Sequence, residues 1–442
     1  MGVWQGWRGR TVPETTPARC LLLTFPPQPS QPTPRKPRRS GPSQYGPASQ
    51  DTLPCPFKDA RMFPHSALRS AALALAVSLS LGVPSAFADN APAASASTAV
   101  QRQAVAKGLY ELAYSPKQNA VFVASSGGFG DDAGPAQVLR LNPTTLAVET
   151  RIPLERKAFG VVLDDAHNRL YVGNTVDLSV TVVDTAQNKA IGTIQLMEKK
   201  TGKDGKAAYT HDLRELVVDS AGNRLYVTGH SSQPDVSSVL FVIDTTTLKV
   251  INTIDGLGNA KAPGLALDAA NKRVYTSNLL ADLVVVGTDS NKVVAQHKIA
   301  AEQPMNIALD PAGKRLFVTD QGSEFLRGYQ AKSSGLVSKH PGQRVLVLDR
   351  STGKELASIP TDAGPLGILL DAPRKRLYVT NREAGTVTAY NSDSYQKVAT
   401  YKVPTHPNSL ALDAKNNVLF VSIKNGEKDD KGADESVARI QL

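Results

Sequence analysis

The sequence predicts an all-β fold, a seven-bladed β-propeller of four-stranded antiparallel blades whose ring is closed by an N-terminal strand completing the last blade. Three observations carry that expectation. One phrase returns seven times, as NAVFVAS, NRLYVGN, NRLYVTG, KRVYTSN, KRLFVTD, KRLYVTN and NVLFVSI, with its aromatic residue at Phe122, Tyr171, Tyr226, Tyr275, Phe317, Tyr378 and Phe420. The copies stand 49, 55, 49, 42, 61 and 42 residues apart, and a period in the forties with four strands per unit is the mark of a propeller. The seventh unit ends at Leu442 one strand short, while a spare strand-like stretch, STAVQRQAVA at 97–106, precedes the first unit. Pairing that stretch beside the last strand of the chain covers an open edge.

Each strand of the unit, A to D in chain order, has its own signature. The A strand is a short apolar run ending in a turn residue, as in LAYSP, VVLDD, LVVDS, LALDA, IALDP and ILLDA. Its terminal Asp or Ser can bond its own backbone two residues on, which favours a tight reversal. The B strand is the repeated phrase, whose apolar part packs blade against blade. Strands C and D alternate, most clearly in SVTVVDTAQNKAIGTI and VLFVIDTTTLKVINTI, the half-buried strand pattern with Asp, Asn and Thr turns. A β-sandwich or two unrelated β domains leave seven copies of one phrase unexplained.

The N-terminal region is of another kind. Residues 1–61 hold nine Lys and Arg, three Asp and Glu, twelve of the 29 Pro, both Cys and both Trp. With no sustained apolar period, this segment buries too little surface to fold. Residues 62–88 then supply one positive charge at Arg69, a 13-residue apolar run from Ala71 to Val83 and Ala-Phe-Ala at 86–88. Those are the three parts of a secretory signal, and the run falls short of the roughly 18 to 20 residues a membrane span needs. Cleavage is expected after Ala88, with export to the periplasm. Because a signal must open the nascent chain, Met62 is the expected start and residues 1–61 are read as a gene-start error. Residues 89–96 are expected to be a flexible mature N-terminus, and 97–442 a single propeller, monomeric and without an integral membrane span. The formal charge of +10 shrinks to +3 after Ala88, so charge alone is no pointer to nucleic acid. The mature chain has no Cys, hence no disulfide, thiol nucleophile or CxxCH haem attachment.

The LYVTN repeats, the signal and two longer segments, THDLRELVVDSAGNRLYVTG at 210–229 and VPTHPNSLALDAKNNVLFVSIKN at 403–425, resemble the YncE-type periplasmic YVTN β-propellers. The resemblance covers 98–442, and the THDLRE and THPNSLAL pieces are not generic repeat consensus. It implies a seven-bladed, exported bacterial propeller without established enzymatic activity that binds DNA, single strands above all. Related propellers include lactonases and large subunits of quinoprotein amine dehydrogenases.

In an up-and-down blade the A-to-B and C-to-D turns share one face, and the B-to-C and D-to-A loops share the other. The long insertions, Leu196 to His211, 124–136, 229–237, 320–342 and 424–435, all fall on the second face. Insertions gathered on one face of a repeat array mark its binding face. The tail of the B strand, Thr380-Asn381 and then Arg382 in the sixth unit, is expected to emerge there. Counting back four positions from the residue ending each A strand gives Glu111, Gly160, Glu215, Gly264, Asn306, Gly367 and Ser409 at the channel. Five back gives Tyr110, Phe159, Arg214, Pro263, Met305, Leu366 and Asn408. The three glycines leave room either for a bound group or for tight central packing. Candidate binding residues at the channel mouth are Glu111, Lys157, His211, Asp212, Arg214, Glu215, Asn306, Arg382, His406 and Asn408. The structural alternative pairs Arg214 with Glu215 and lets the two His brace loops.

Nucleic-acid binding needs a basic track and aromatic platforms. Candidate contacts are Lys199, Lys200, Lys203 and Lys206 ending near Tyr209, and Arg327 with Phe325 and Tyr329 in the 320–342 insertion. Against them, NGEKDDKGADE at 425–435 carries five acids. The expected partner is single-stranded DNA, by resemblance, or a periplasmic protein, and the expected role is that of a non-enzymatic binding scaffold. The rival is a small-molecule enzyme of lactonase type, with Glu111, Glu215 and His211 as acid–base groups, or a quinoprotein-dehydrogenase-like subunit. No nucleophile elbow, phosphate loop or dinucleotide fingerprint occurs in the mature chain; no catalytic residue and no cofactor are expected. The six His after Ala88 show no HxH or HxxxH spacing, and no metal site is expected, although ring geometry could gather His211, His230 and His406.

Overall fold

The computed structural model describes residues 100–442 apart from 203, 204, 232, 234, 427, 428 and 431. The extension, signal and flexible start expected at 1–96 lie outside the described residues, as does Lys203. Seven four-stranded antiparallel sheets form the blades. Their A strands are Leu109–Ser115, Val161–Asp164, Asp212–Asp219, Gly264–Asp268, Pro304–Asp310, Pro365–Asp371 and His406–Asp413. Blade 6 shows the plan, continuing through Arg376–Asn381, Thr386–Asn391 and Lys397–Lys402. Blade 7 takes its fourth strand from the other end of the chain: Val100–Ala106 runs antiparallel to Glu435–Gln441, with Val100 opposite Ile440 and Gln103 opposite Val437.

The turn aspartates act as expected, but one residue further along in the A-to-B turns. Asp219 and Asp310 accept the N–H three residues on, at Gly222 and Gly313, each at 2.9 Å. In the C-to-D turn of blade 3, Asp244 Oδ1 accepts from both Thr246 and Thr247 at 3.0 and 2.8 Å.

The apolar core is divided into clusters lying between neighbouring blades. Leu377 and Val379 join Phe317, Val345 and Val347 between blades 5 and 6. Tyr378, pointing the other way, joins Leu419 and Val421 between blades 6 and 7. Alternation along a strand sends successive side chains to opposite faces, so a strand sandwiched between two neighbours must be apolar at every place. That is why the phrase reads Leu-Tyr-Val. The cluster of Val105, Leu109, Phe420 and Val437 does the same between blades 7 and 1 and joins the two ends of the chain.

The polar tail of the phrase is a correction to the expectation that it emerges. Thr380 and Asn381 are fully buried. The A strand of blade 6 bulges between Pro365 and Ile368, which takes the Gly367 N–H out of the ladder. Thr380 Oγ1 accepts that N–H at 2.7 Å and donates to the Asn408 carbonyl of the next blade at 3.2 Å. Thr319 repeats both bonds, from Asn306 N and to Leu366 O, at 3.0 Å each. Ser422 closes the ring in the same manner, accepting from Ser409 N at 3.1 Å and donating to Tyr110 O at 2.5 Å. Asn381 is held to the C strand, donating to Thr386 and Thr388 Oγ1 at 3.0 and 2.9 Å.

A second difference lies in the 320–342 insertion, which contains a helix, Glu324–Ser334. Leu326 packs with Leu279, Met305 and Leu366, and Gln330 Nε2 donates to the Leu279 and Glu302 carbonyls at 2.9 and 2.6 Å. Gly335, at φ 68°, ends it in the left-handed conformation. Among the described residues no helix is long and apolar enough to cross a membrane.

Candidate functional site at the channel mouth

The four-back row does line the centre. Glu111, Glu215, Asn306, Gly367 and Ser409, with Arg214 and Asn408 from the five-back row, surround a cavity of about 190 Å³. The A strand enters from the loop-rich face, so the bulge near its start sets these residues toward that mouth. Gly160, Gly264 and Gly367 answer to packing. A Cβ at Gly160 meets the Arg214 carbonyl at 2.9 Å, one at Gly264 meets the Met305 carbonyl at 2.9 Å, and one at Gly367 meets the Asn408 carbonyl at 2.5 Å. Each of these carbonyls belongs to the A strand of the following blade, and at Gly264 the Ser277 hydroxyl of its own blade stands nearer still.

The space above those glycines lets long side chains from blades 1, 3 and 5 meet across the channel. Arg214 Nη1 lies 2.8 Å from Glu111 Oε1 and 2.7 Å from Glu215 Oε1. Glu215 Oε1 also accepts from Asn306 Nδ2 at 3.3 Å, and Glu111 Oε2 accepts the Val161 N–H at 3.0 Å. One guanidinium thus serves two buried carboxylates. Burial and then the Glu111 charge push the Glu215 carboxyl well up from its ordinary range, against the pull of Arg214.

A second layer sits at the B strand ends, one residue beyond the tail, where the seven positions are Ser126, Thr175, His230, Leu279, Gln321, Arg382 and Lys424, all buried. Two cations stand side by side in blades 6 and 7. Lys424 Nζ is neutralised by Glu435 Oε2 at 3.0 Å, donates to the Leu109 carbonyl at 2.6 Å and lies 3.9 Å above the Tyr110 ring. Arg382 donates from Nη1 to Asn408 Oδ1 at 3.1 Å, and burial lowers its pKa to about 10. Glu435, counted by sequence among the acids of an exposed loop, is the first residue of a C strand and is buried. Its position opposite Lys424 across the B-to-C loop was the signal available for finding it.

The remaining candidates are placed less centrally. His211 is buried, with Nδ1 2.9 Å from Thr210 Oγ1 and Nε2 2.9 Å from the Ser237 carbonyl; it braces a loop, as the structural alternative holds. Asp212 faces His230 in the strand ladder, and burial raises its pKa against the charge of Lys261. The same burial lowers Lys261 to about 8. His406 opposes Lys424 in its ladder, and burial followed by Arg382 lowers it to about 4. Lys157 is pinned by the Ser126 and Gly128 carbonyls at 3.1 and 2.6 Å. Among the described residues no group of three or more His, Cys, Asp or Glu could hold a metal ion, so His211, His230 and His406 are not gathered into such a site.

Of the residues expected to contact nucleic acid, Lys199, Lys200, Lys206 and Phe325 are exposed. Lys199 lies over the Tyr209 ring at 5.2 Å, and Tyr209 is partly buried against blades 2 and 3. Tyr329 packs on the helix cluster beneath Lys261, 5.6 Å from its Nζ. Arg327 is consumed internally, pairing with Glu324 at 3.1 Å and donating to the His340 and Pro341 carbonyls at 3.1 and 2.6 Å. Phe129, passed over in the sequence, is exposed beside Lys157, whose Nζ is 5.0 Å from the ring.

Fold and channel together define a seven-bladed β-propeller scaffold with a polar, largely self-paired channel and a loop-rich mouth. The chain is 33% identical over 347 residues to the uncharacterised protein YncE of Salmonella typhimurium, covering 77% of this chain and 90% of that one. It is 34% identical over 327 residues to YncE of Escherichia coli, covering 73% and 84%. The chain belongs to the YncE family. Antigen Lp49 of Leptospira interrogans is 24% identical over 255 residues, 57% of this chain and 51% of that one. Among solved structures, hydrazine synthase of Kuenenia stuttgartiensis matches in fold alone, with a TM-score of 0.55 and 18% identity over 72% of this chain and 94% of that one. No family model matches the chain.

Proposed function

We propose that this propeller is an exported, non-enzymatic binding scaffold that engages single-stranded DNA through its loop-rich face. The observation that carries the reading is the set of exposed cations and rings on separate loops of that face: Lys199 over the Tyr209 ring, Lys200 and Lys206 beside it, and the exposed rings of Phe129 and Phe325. Rings on which bases stack, beside cations that neutralise phosphate, are the two parts a single-strand binder combines. The internal engagement of Arg327 narrows the contact set to the Lys199–Lys206 ribbon and the exposed Phe129 and Phe325. Fluorescence anisotropy of a labelled oligothymidylate near 50 mM salt tests this: saturable binding weakened by Lys199→Glu with Lys200→Glu supports it, and no association at that salt sinks it. Export through cleavage after Ala88 is part of the same proposal; peptides preceding Met62 in the natural protein, found by mass spectrometry, would refute it.

A second reading, a lactonase-like site, has one observation in its favour: burial and the Glu111 charge push the Glu215 carboxyl up beside Arg214 in a polar cavity, the direction a general acid requires. Turnover of a lactone panel that Glu215→Gln abolishes would favour it.

A further inference from the structure

Several repeat positions that depart from the phrase become structural once the blades pack. Asp320 is held by Arg344 Nε at 2.9 Å, and Lys424 by Glu435. Arg214 takes the two channel carboxylates. Arg382 alone among these buried charges makes no ion pair within the described residues. It is 2% exposed, and among the described residues its Nε and Nη2 have no hydrogen-bond partner.

Those two nitrogens lie on one edge of the guanidinium, where their N–H bonds run parallel. That edge matches the two oxygens of a carboxylate and forms the bidentate pair for which arginine is used. The opposite corner, Nη1, is already fixed by Asn408 Oδ1, and Asn408 is fixed in turn by donating from Nδ2 to the Tyr110 carbonyl at 3.3 Å. The fork is therefore held in orientation with its binding edge unengaged. A buried cation with no anion is strongly unfavourable, and among the described carboxylates Glu111 and Glu215 are committed to Arg214 and Glu435 to Lys424. Glu383, next in the chain, is exposed and acts on Arg382 only at a distance.

We propose that Arg382, oriented by Asn408, forms a binding site for the carboxylate group of a small organic acid at the channel mouth between blades 6 and 7. The site is separate from the exposed lysines proposed to meet DNA.

The test titrates carbon-13 formate into the full propeller at constant ionic strength against chloride and follows line broadening, with inorganic phosphate as a second probe. Saturable formate binding is expected, weakened about tenfold or more in Arg382→Gln, as loss of a charge-assisted pair implies. Arg382→Lys, which keeps the charge but not the fork, should also bind more weakly. The proposal is overturned if the wild type shows no saturable binding, or if a folded Arg382→Gln protein binds as the wild type does. Saturation by phosphate but not formate overturns the carboxylate assignment. Should Arg382→Gln fail to fold, the wild-type titration and Arg382→Lys decide. Oligonucleotide affinity measured on the same variants is expected to be unchanged, so that either proposal can fail alone.

Discussion

One hydroxyl explains the fourth letter of the repeated phrase. Thr380 accepts a bulge N–H from its own blade and donates to the next blade's carbonyl, both within a fully buried site. Thr380→Val keeps the shape and removes both bonds; stranding buried polar groups costs about 1–3 kcal/mol. The denaturant midpoint should fall accordingly, while Thr380→Ser stays near the wild type. Glu215 makes a different prediction. Its folded pKa lies above the ordinary carboxylate value, so the native state holds a proton that the unfolded chain releases. That contribution is complete below the ordinary range and is lost as pH rises through the folded value. The melting temperature of Glu215→Gln relative to wild type should therefore climb between about pH 5 and 9. A difference that stays constant would mean Glu215 is ionised throughout.

At the scale of the element, the ring is latched where its two ends meet. Lys424 and Glu435, in the last blade, grip the first A strand: Lys424 Nζ donates to Leu109 O at 2.6 Å, and Glu435 Oε2 accepts Leu109 N–H at 2.6 Å. Both side chains are at most 10% exposed. Removing one partner of a buried pair costs about 3–5 kcal/mol because the other charge is left unmatched. Glu435→Ala should lower thermal stability far more than Lys272→Ala, since the Lys272–Asp289 pair is more than 60% exposed on both sides and such pairs contribute about 1 kcal/mol or less. The strand Val100–Ala106 covers the edge of Glu435–Gln441. Deleting it leaves a row of unpaired backbone groups; a lowered melting temperature and self-association by size-exclusion chromatography are expected.

At the scale of the molecule, one face carries the variation and the other is nearly constant. The proposed single-strand binding through the exposed lysines of the loop-rich face predicts a binding constant that falls with salt, with a logarithmic slope of about −0.7 per phosphate neutralised. Reversing Lys199 and Lys200 together should flatten that slope by about 1.4. An unchanged slope would take both residues out of the contact.

The blade count, the strand order and the A strand positions facing the channel were legible in the sequence, because each rests on local period and turn chemistry that a repeat spells out seven times. The pairing of Glu111 with Arg214 was not, since it joins residues 103 positions apart by a distance that only blade packing sets; the fate of Lys424 was missed although Glu435 stands opposite it in the strand pairing of the same blade. The helix Glu324–Ser334 was missed because its signal, a Ser before and a Gly after, is weak without the buried surface that receives Leu326. The tail Thr380-Asn381 was misplaced for a related reason: a bulge moves a strand end by one hydrogen-bond register, and no periodicity records it. The sequence by itself determined the scaffold and its loop-rich face. The tertiary structure decided which polar residues cancel one another and which, like Arg382, stay unpaired among the described residues, because burial and charge compensation follow from strand pairing and blade packing that no single phrase spells out.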